Sequence, residues 1–77
     1  MPVEIAHRIT VDQSVRFGKP VIRGTRVPVS VIVGQAAASM THQGIAEEYG
    51  IEVEDVLAAL RYAHAILDQE EVGIFPS

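Results

Sequence analysis

Gly18, Pro20, Gly24 and Pro28 punctuate the stretch from residue 18 to residue 29, and Val21, Ile22, Val27 and Val29 stand between them. Branched apolar residues ask for an extended, half-buried backbone, whereas glycine and proline interrupt that backbone at set points. A short, rigid and tightly turned extended segment satisfies both. Lys19, Arg23 and Arg26 belong to the same stretch, so it is also basic.

Upstream, Arg8-Ile9-Thr10-Val11 alternates polar and apolar side chains and predicts a strand within residues 7–12. A second strand is predicted at Pro20 to Arg23. Asp12, Gln13, Ser14 and Gly18 make the intervening segment a loop, so the two strands form a hairpin or pair across a dimer. Gly24-Thr25 turns the chain, and Pro28 bars a central strand, which leaves Arg26 to Val29 as an edge or a lead-in to a helix.

Three helices are expected after this arm. Ser30 is the predicted N-cap of the first, running to about Ala38, and Val31, Ile32, Val33, Ala36 and Ala37 cover nearly its whole circumference, the pattern of a buried helix. Thr41 caps a second over His42 to Tyr49, stopped by Gly50. The third spans about Val53 to Gln69, where Val53, Val56, Leu57, Leu60, His64 and Leu67 recur at three- and four-residue spacing; Glu54 and Asp55 in its first turn complement the helix dipole. The expected fold is mainly α, a three-helix, helix-turn-helix (homeodomain-like) bundle over about 30–70, preceded by a small N-terminal β hairpin or arm over about 7–29 and followed by a short tail, 71–77. All 77 residues form one domain.

With 48% hydrophobic and 21% charged residues, so small a chain carries more apolar surface than a monomer easily hides, and a homodimer is expected. The absence of cysteine excludes disulfides, thiolate metal sites and cysteine catalysis. No charged-then-apolar leader opens the chain, and Pro28, Ser30, Gly34 and Gln35 interrupt its longest apolar stretch. Neither a signal peptide nor a membrane span is expected, and the cytoplasm is the default compartment.

The net charge of −4 conceals a polarity: residues 1–40 hold five Lys/Arg against two acids, and residues 41–77 hold one Arg against eight acids. Such a split suits a basic face meeting phosphate and an acidic face meeting a basic partner, two ends meeting in a dimer, or simply an unevenly charged solvated surface.

The string Gly18-Lys19-Pro20-Val21-Ile22-Arg23-Gly24-Thr25-Arg26-Val27-Pro28-Val29 resembles the core motif of the family known as domain of unknown function 433, often likened to VapB-type antitoxins. Ile45-Ala46-Glu47-Glu48-Tyr49 and Val53 to Ala63 resemble its second and third helices. Departures are local: Ser39, Gly50 and Glu52 stand where members often carry Gly, Pro and Thr. The resemblance implies a mostly helical, winged or homeodomain-like domain, encoded beside a PIN-like ribonuclease toxin and neutralising it. It transfers no catalytic residue.

Candidate sites follow from charge and exposure rather than from catalytic spacing. Lys19 precedes Pro20 rather than Ser or Thr, so Gly18-Lys19 is not a phosphate-binding P-loop. Arg23 and Arg26 flank a tight turn, where they either grip phosphate or carboxylate in a fork or pair with Glu47, Glu48 or Asp55 and hold the arm down. His7, His42 and His64 have no partner at metal-ligand spacing, and His64 reads as a core or interface residue. Glu47, Glu48, Glu54 and Asp55 point in different directions without an accompanying base, a solvated face rather than a two-metal site. Phe17, Tyr49 and Tyr62 are the large anchors, filling the core, with insertion of Phe17 into a dimer mate or toxin as the alternative. No catalytic residue, metal or cofactor is expected.

The leading expectation is an antitoxin-like interaction module that neutralises a PIN-like ribonuclease through Phe17, Glu47, Glu48, Glu54 and Asp55, with binding of its own operator DNA as a second role. The alternative is a stand-alone DNA-binding regulator. Glu52, Glu54 and Asp55 would repel phosphate from the third helix, so any nucleic-acid contact is assigned to Arg8, Arg16, Lys19, Arg23 and Arg26 on the arm.

Overall fold

Three helices and a small antiparallel sheet make up the computed structural model, which describes residues 1–69. In chain order these are β1 (Val3–Ala6), β2 (Ile9–Val11), β3 (Val21–Ile22), α1 (Val29–Ala37), α2 (His42–Tyr49) and α3 (Val53–Gln69). The molecule is mainly helical, as the periodicity predicts, and the tail expected over 71–77 lies outside the described residues.

The sheet has the order β1-β2-β3. Ile9 faces Ile22 and Thr10 faces Val21, so the expected hairpin forms within one chain. On the other side Val3 pairs with Val11 and Glu4 with Thr10, and a bulge between Glu4 and Ala6 shifts the register. The sequence reading places the start of the arm near residue 7 and omits β1. The ladder to β2 holds this edge strand, while Val3 and Ile5 remain exposed, so it carries no buried stripe that a pattern would reveal.

Local hydrogen bonds account for the punctuated stretch. Thr25 N–H donates to the Ile22 carbonyl at 3.0 Å, closing a turn whose third residue, Gly24, has φ +76°. That conformation strains any residue with a Cβ. The Thr25 hydroxyl donates to the Ile22 carbonyl at 2.7 Å and accepts from Val27 N–H at 3.0 Å, pinning both sides of the turn. Ile22 N–H reaches the Val27 carbonyl and Val29 N–H the Pro20 carbonyl. Pro28, without an N–H, sits where the returning strand ends and α1 begins.

Ile9, Ile22, Ile32, Ile45 and Val56 are fully buried and join the sheet to all three helices. Each such side chain contributes about 1.5–3 kcal/mol by leaving water.

The first helix differs from expectation. Its N-cap position is Pro28, with no side-chain cap bond, rather than Ser30, and of its nine residues only Val29 and Ile32 are buried. Too few elements exist to surround it, so Val31 and Ala37 face solvent. At α2 the expectation holds: the Thr41 hydroxyl accepts from Gly44 N–H at 2.9 Å, and Gly50 closes the helix at φ +66°. Tyr49 is half-buried, its hydroxyl accepting from the Gln35 amide at 3.1 Å, whereas His64, expected in the core or at an interface, is exposed and lies outside the core.

The third helix starts at Val53. Its 17 residues rise about 25 Å, roughly twice the length of α1 or α2. Its last two turns therefore run beyond the helices packed against its first half, and residues 64–69 are all exposed. No described helix is long and apolar enough to cross a membrane.

Candidate functional site

Five basic residues of the N-terminal half meet different fates. Arg8 occupies the two-residue turn between β1 and β2 at φ +64°, an uncommon conformation for a residue with a side chain. One guanidinium nitrogen donates to Asp55 Oδ1 at 2.9 Å and to Glu52 Oε1 at 3.2 Å. The Arg8 and Asp55 side chains are only 21% and 14% exposed, so the pair sits in the seam between sheet and α3. The bond to Asp55, then that to Glu52, raises the proton affinity of a group already charged. Arg8 Nε is buried with no partner.

Asp55 does more than pair with Arg8. Its second oxygen accepts from Glu52 N–H at 2.9 Å, which satisfies an open donor at the start of α3. Glu52 itself spends its carboxylate on Arg8 instead of capping. Of the two roles open to Arg23 and Arg26, the hold-down against α3 is supplied by Arg8 instead, while Arg23 donates to Glu4 Oε1 at 2.9 Å on the sheet edge.

Arg16, Lys19 and Arg26 remain exposed and, among the described residues, have no acid within ion-pair distance. Arg16, Phe17 and Gly18 form a left-handed turn with φ values of +52°, +57° and +81°. Phe17 at its tip is 94% exposed, so this anchor leaves the core to the aliphatic residues and to the half-buried Tyr49 and Tyr62. The turn is tightly bonded. Asp12 Oδ1 accepts from both the hydroxyl and the N–H of Ser14, Val15 N–H returns to the Asp12 carbonyl, and Gly18 N–H reaches the Val15 carbonyl. The Ser14 hydroxyl, then its N–H, lowers the Asp12 carboxyl below its ordinary value. Arg16 Nε donates to the Arg26 carbonyl at 3.2 Å, bringing the two arginines to one hollow lined also by Gln13, Ser14 and Phe17.

The acidic candidates separate as well. Glu47 accepts from Gln43 at 3.1 Å and stays exposed with Glu48 and Glu54, whereas Asp55 is committed to Arg8 and the helix start. No group of three His, Asp or Glu among the described residues is placed to hold a metal ion.

A third surface was absent from the sequence candidates. Val29 and Val33 of α1 face Tyr62, Ala63, Ile66 and Leu67 of α3 across an open apolar groove of about 460 Å³, with Lys19 and Pro20 at one side. Ile66 and Leu67 are 44% and 65% exposed. The available signal was length: an apolar stripe on a 17-residue helix continues past partners of nine and eight residues.

No curated protein matches the chain. A likeness exists to the X-ray crystal structure of Rv2018 from Mycobacterium tuberculosis, at 31% identity and a TM-score of 0.63, covering 68% of this chain and 24% of that one. The chain thus matches about a quarter of that protein's length. The profile of the family described as "protein of unknown function (DUF433)" matches residues 9–63, from the first buried strand residue through three turns of α3. That span includes the punctuated turn, Asp55 to which Arg8 is bonded and both helices whose motifs the sequence carries, and the chain belongs to the DUF433 family.

Proposed function

We propose that the chain is an antitoxin-like interaction module, acting in the cytoplasm by binding rather than by catalysis, that forms a homodimer and neutralises a PIN-like ribonuclease. The observation that carries this reading is the apolar α1/α3 groove together with the projecting, apolar end of α3. A monomer leaves this surface in water, and a second copy supplies both a groove and a helix end to fill it. Charge suits the pairing: Lys19 borders the groove, and Asp68 is the one charged residue among the exposed positions 64–69. The exposed Glu47, Glu48 and Glu54 then meet the ribonuclease, whose RNA-binding surface is basic. In Rv2018 a similar fold accounts for a quarter of a longer chain, which supports reading it as a docking module.

The connection from α2 through Gly50 to α3 is read as a helix-turn-helix used for docking. Glu52, Glu54 and Asp55 at the start of α3 disfavour its insertion into a DNA groove. A second reading, a DNA-binding regulator, draws on Arg16, Lys19 and Arg26, which have no acid within ion-pair distance among the described residues.

The test is co-expression with a PIN-like ribonuclease encoded beside the gene. Stoichiometric co-purification with loss of ribonuclease activity is expected, and Glu47→Lys with Glu48→Lys restores cleavage while the fold persists. Retention of full ribonuclease activity at stoichiometric excess would overturn the proposal.

A further inference from the structure

We propose that the left-handed turn at Arg16–Gly18 binds single-stranded nucleic acid, Phe17 stacking on an unpaired base while Arg16 and Arg26 hold the adjacent phosphates.

Four observations lead there. An aromatic ring 94% exposed forfeits its burial energy, and it is held out by a backbone in which Arg16 and Phe17 both adopt positive φ. Two consecutive non-glycine residues in this region are costly and persist only where their surroundings enforce them. Here the Asp12 bonds to Ser14, the bonds closing 12–15 and 15–18, and the Arg16 bond to the Arg26 carbonyl enforce the turn. The ring is presented on a rigid mount before any ligand arrives.

Charge selects the ligand class. Of the five basic residues, the fold spends Arg8 on Asp55 and Glu52 and Arg23 on Glu4. Arg16 and Arg26, without an acidic partner among the described residues, are the two that line the Phe17 hollow. Among the described residues the Arg16 side chain bonds only through Nε, which leaves its two terminal nitrogens for a phosphate. Lys19 belongs to the α1/α3 groove instead.

The rest of the lining favours a nucleotide over a protein partner. Gln13 and Ser14 offer an amide and a hydroxyl for a base edge, and no other large apolar residue accompanies Phe17. A protein anchor normally lies within an apolar cluster, whereas a lone ring between guanidinium groups is how single strands are held. The hollow, about 400 Å³, falls within the range for a small-ligand site. One base and its two phosphates match the single ring and two cations, and the chain's overall charge of −4 disfavours a long duplex contact.

This inference does not depend on the ribonuclease reading. The chain contains no tryptophan, so Phe17→Trp provides a reporter at the site itself. The full chain carrying it is titrated with oligothymidylate, oligouridylate and a duplex of equal length. Quenching by either single strand, stronger than by duplex, is expected. In parallel, fluorescence anisotropy with labelled strands compares the native chain with Phe17→Ala, Phe17→Tyr and Arg26→Gln. Phe17→Ala weakens binding about tenfold through loss of the base–aromatic stack. Phe17→Tyr retains binding, and Arg26→Gln lowers the salt slope by roughly 0.7. Unchanged melting temperatures confirm that exposed side chains alone were altered. Absence of quenching, equal quenching by duplex, or full affinity in Phe17→Ala would sink the proposal; Phe17-dependent capture of the ribonuclease without strand binding would assign the turn to a protein.

Discussion

Arg8 shows how one residue joins two parts of the molecule. It accepts a strained backbone at φ +64° because its side chain reaches across to α3, where Asp55 both receives the guanidinium and caps the helix through Glu52 N–H. Asp55→Ala removes both interactions, and loss of the cap alone costs about 1 kcal/mol, or roughly 4–8 °C in melting temperature for a domain of this size. Asp55→Asn keeps an acceptor for the N–H and loses the charge, so thermal melts should place it between Asp55→Ala and the native chain. Asp12 brings a pH dependence. Its carboxyl is lowered in the fold, so its stabilisation is fully present above the ordinary value of 3.8 and is lost as pH falls through the folded value. Melting temperature should decline more steeply with acid in the native chain than in Asp12→Asn. The side-chain types at both sites are plain in the sequence, but a separation of 47 positions between Arg8 and Asp55 hides their pairing.

Among the elements, α2 is the most completely specified by its own residues. Thr41 at the start and Gly50 at the end are chemically suited to their positions, and the structure uses both. Thr41→Ala and Gly50→Ala should each cost about 1 kcal/mol by chemical denaturation, the first through a lost cap and the second through a Cβ forced into positive φ. The first helix is different. Val31, Ile32, Val33, Ala36 and Ala37 spread apolar side chains over nearly its whole circumference, which points to burial all round, yet only neighbours decide which side is covered. Ile32→Ala on the covered side should cost about 2–5 kcal/mol, and Val31→Ser on the open side little. Strand β1 was missed for a related reason, because an exposed edge strand takes its shape from the neighbour's hydrogen bonds rather than from its own pattern.

The whole molecule is divided by charge and by shape. Five of the six basic residues sit on the sheet and its loops, while most of the described acids lie on α2 and α3, and Arg8–Asp55 is the place where the two halves neutralise each other. The apolar end of α3 is the uncovered part, and the homodimer proposed there predicts a melting temperature that rises with protein concentration. In the proposed dimer, Ile66→Asp with Leu67→Asp should leave a monomer in sedimentation experiments at little cost to monomer stability, since the two residues are 44% and 65% exposed in their own chain.

Local chemistry was legible wherever a residue acts on its neighbours. Gly24, Thr25 and Pro28 dictate their turn, Thr41 and Gly50 bound α2, and the apolar spacing from Val53 onward determines α3, because capping, positive φ and helical periodicity operate within a few residues. Tertiary structure decided which cation pairs with which acid, that Phe17 points to solvent and which side of α1 is covered. Those outcomes depend on distances between segments far apart in the chain, and no pattern within one segment encodes them.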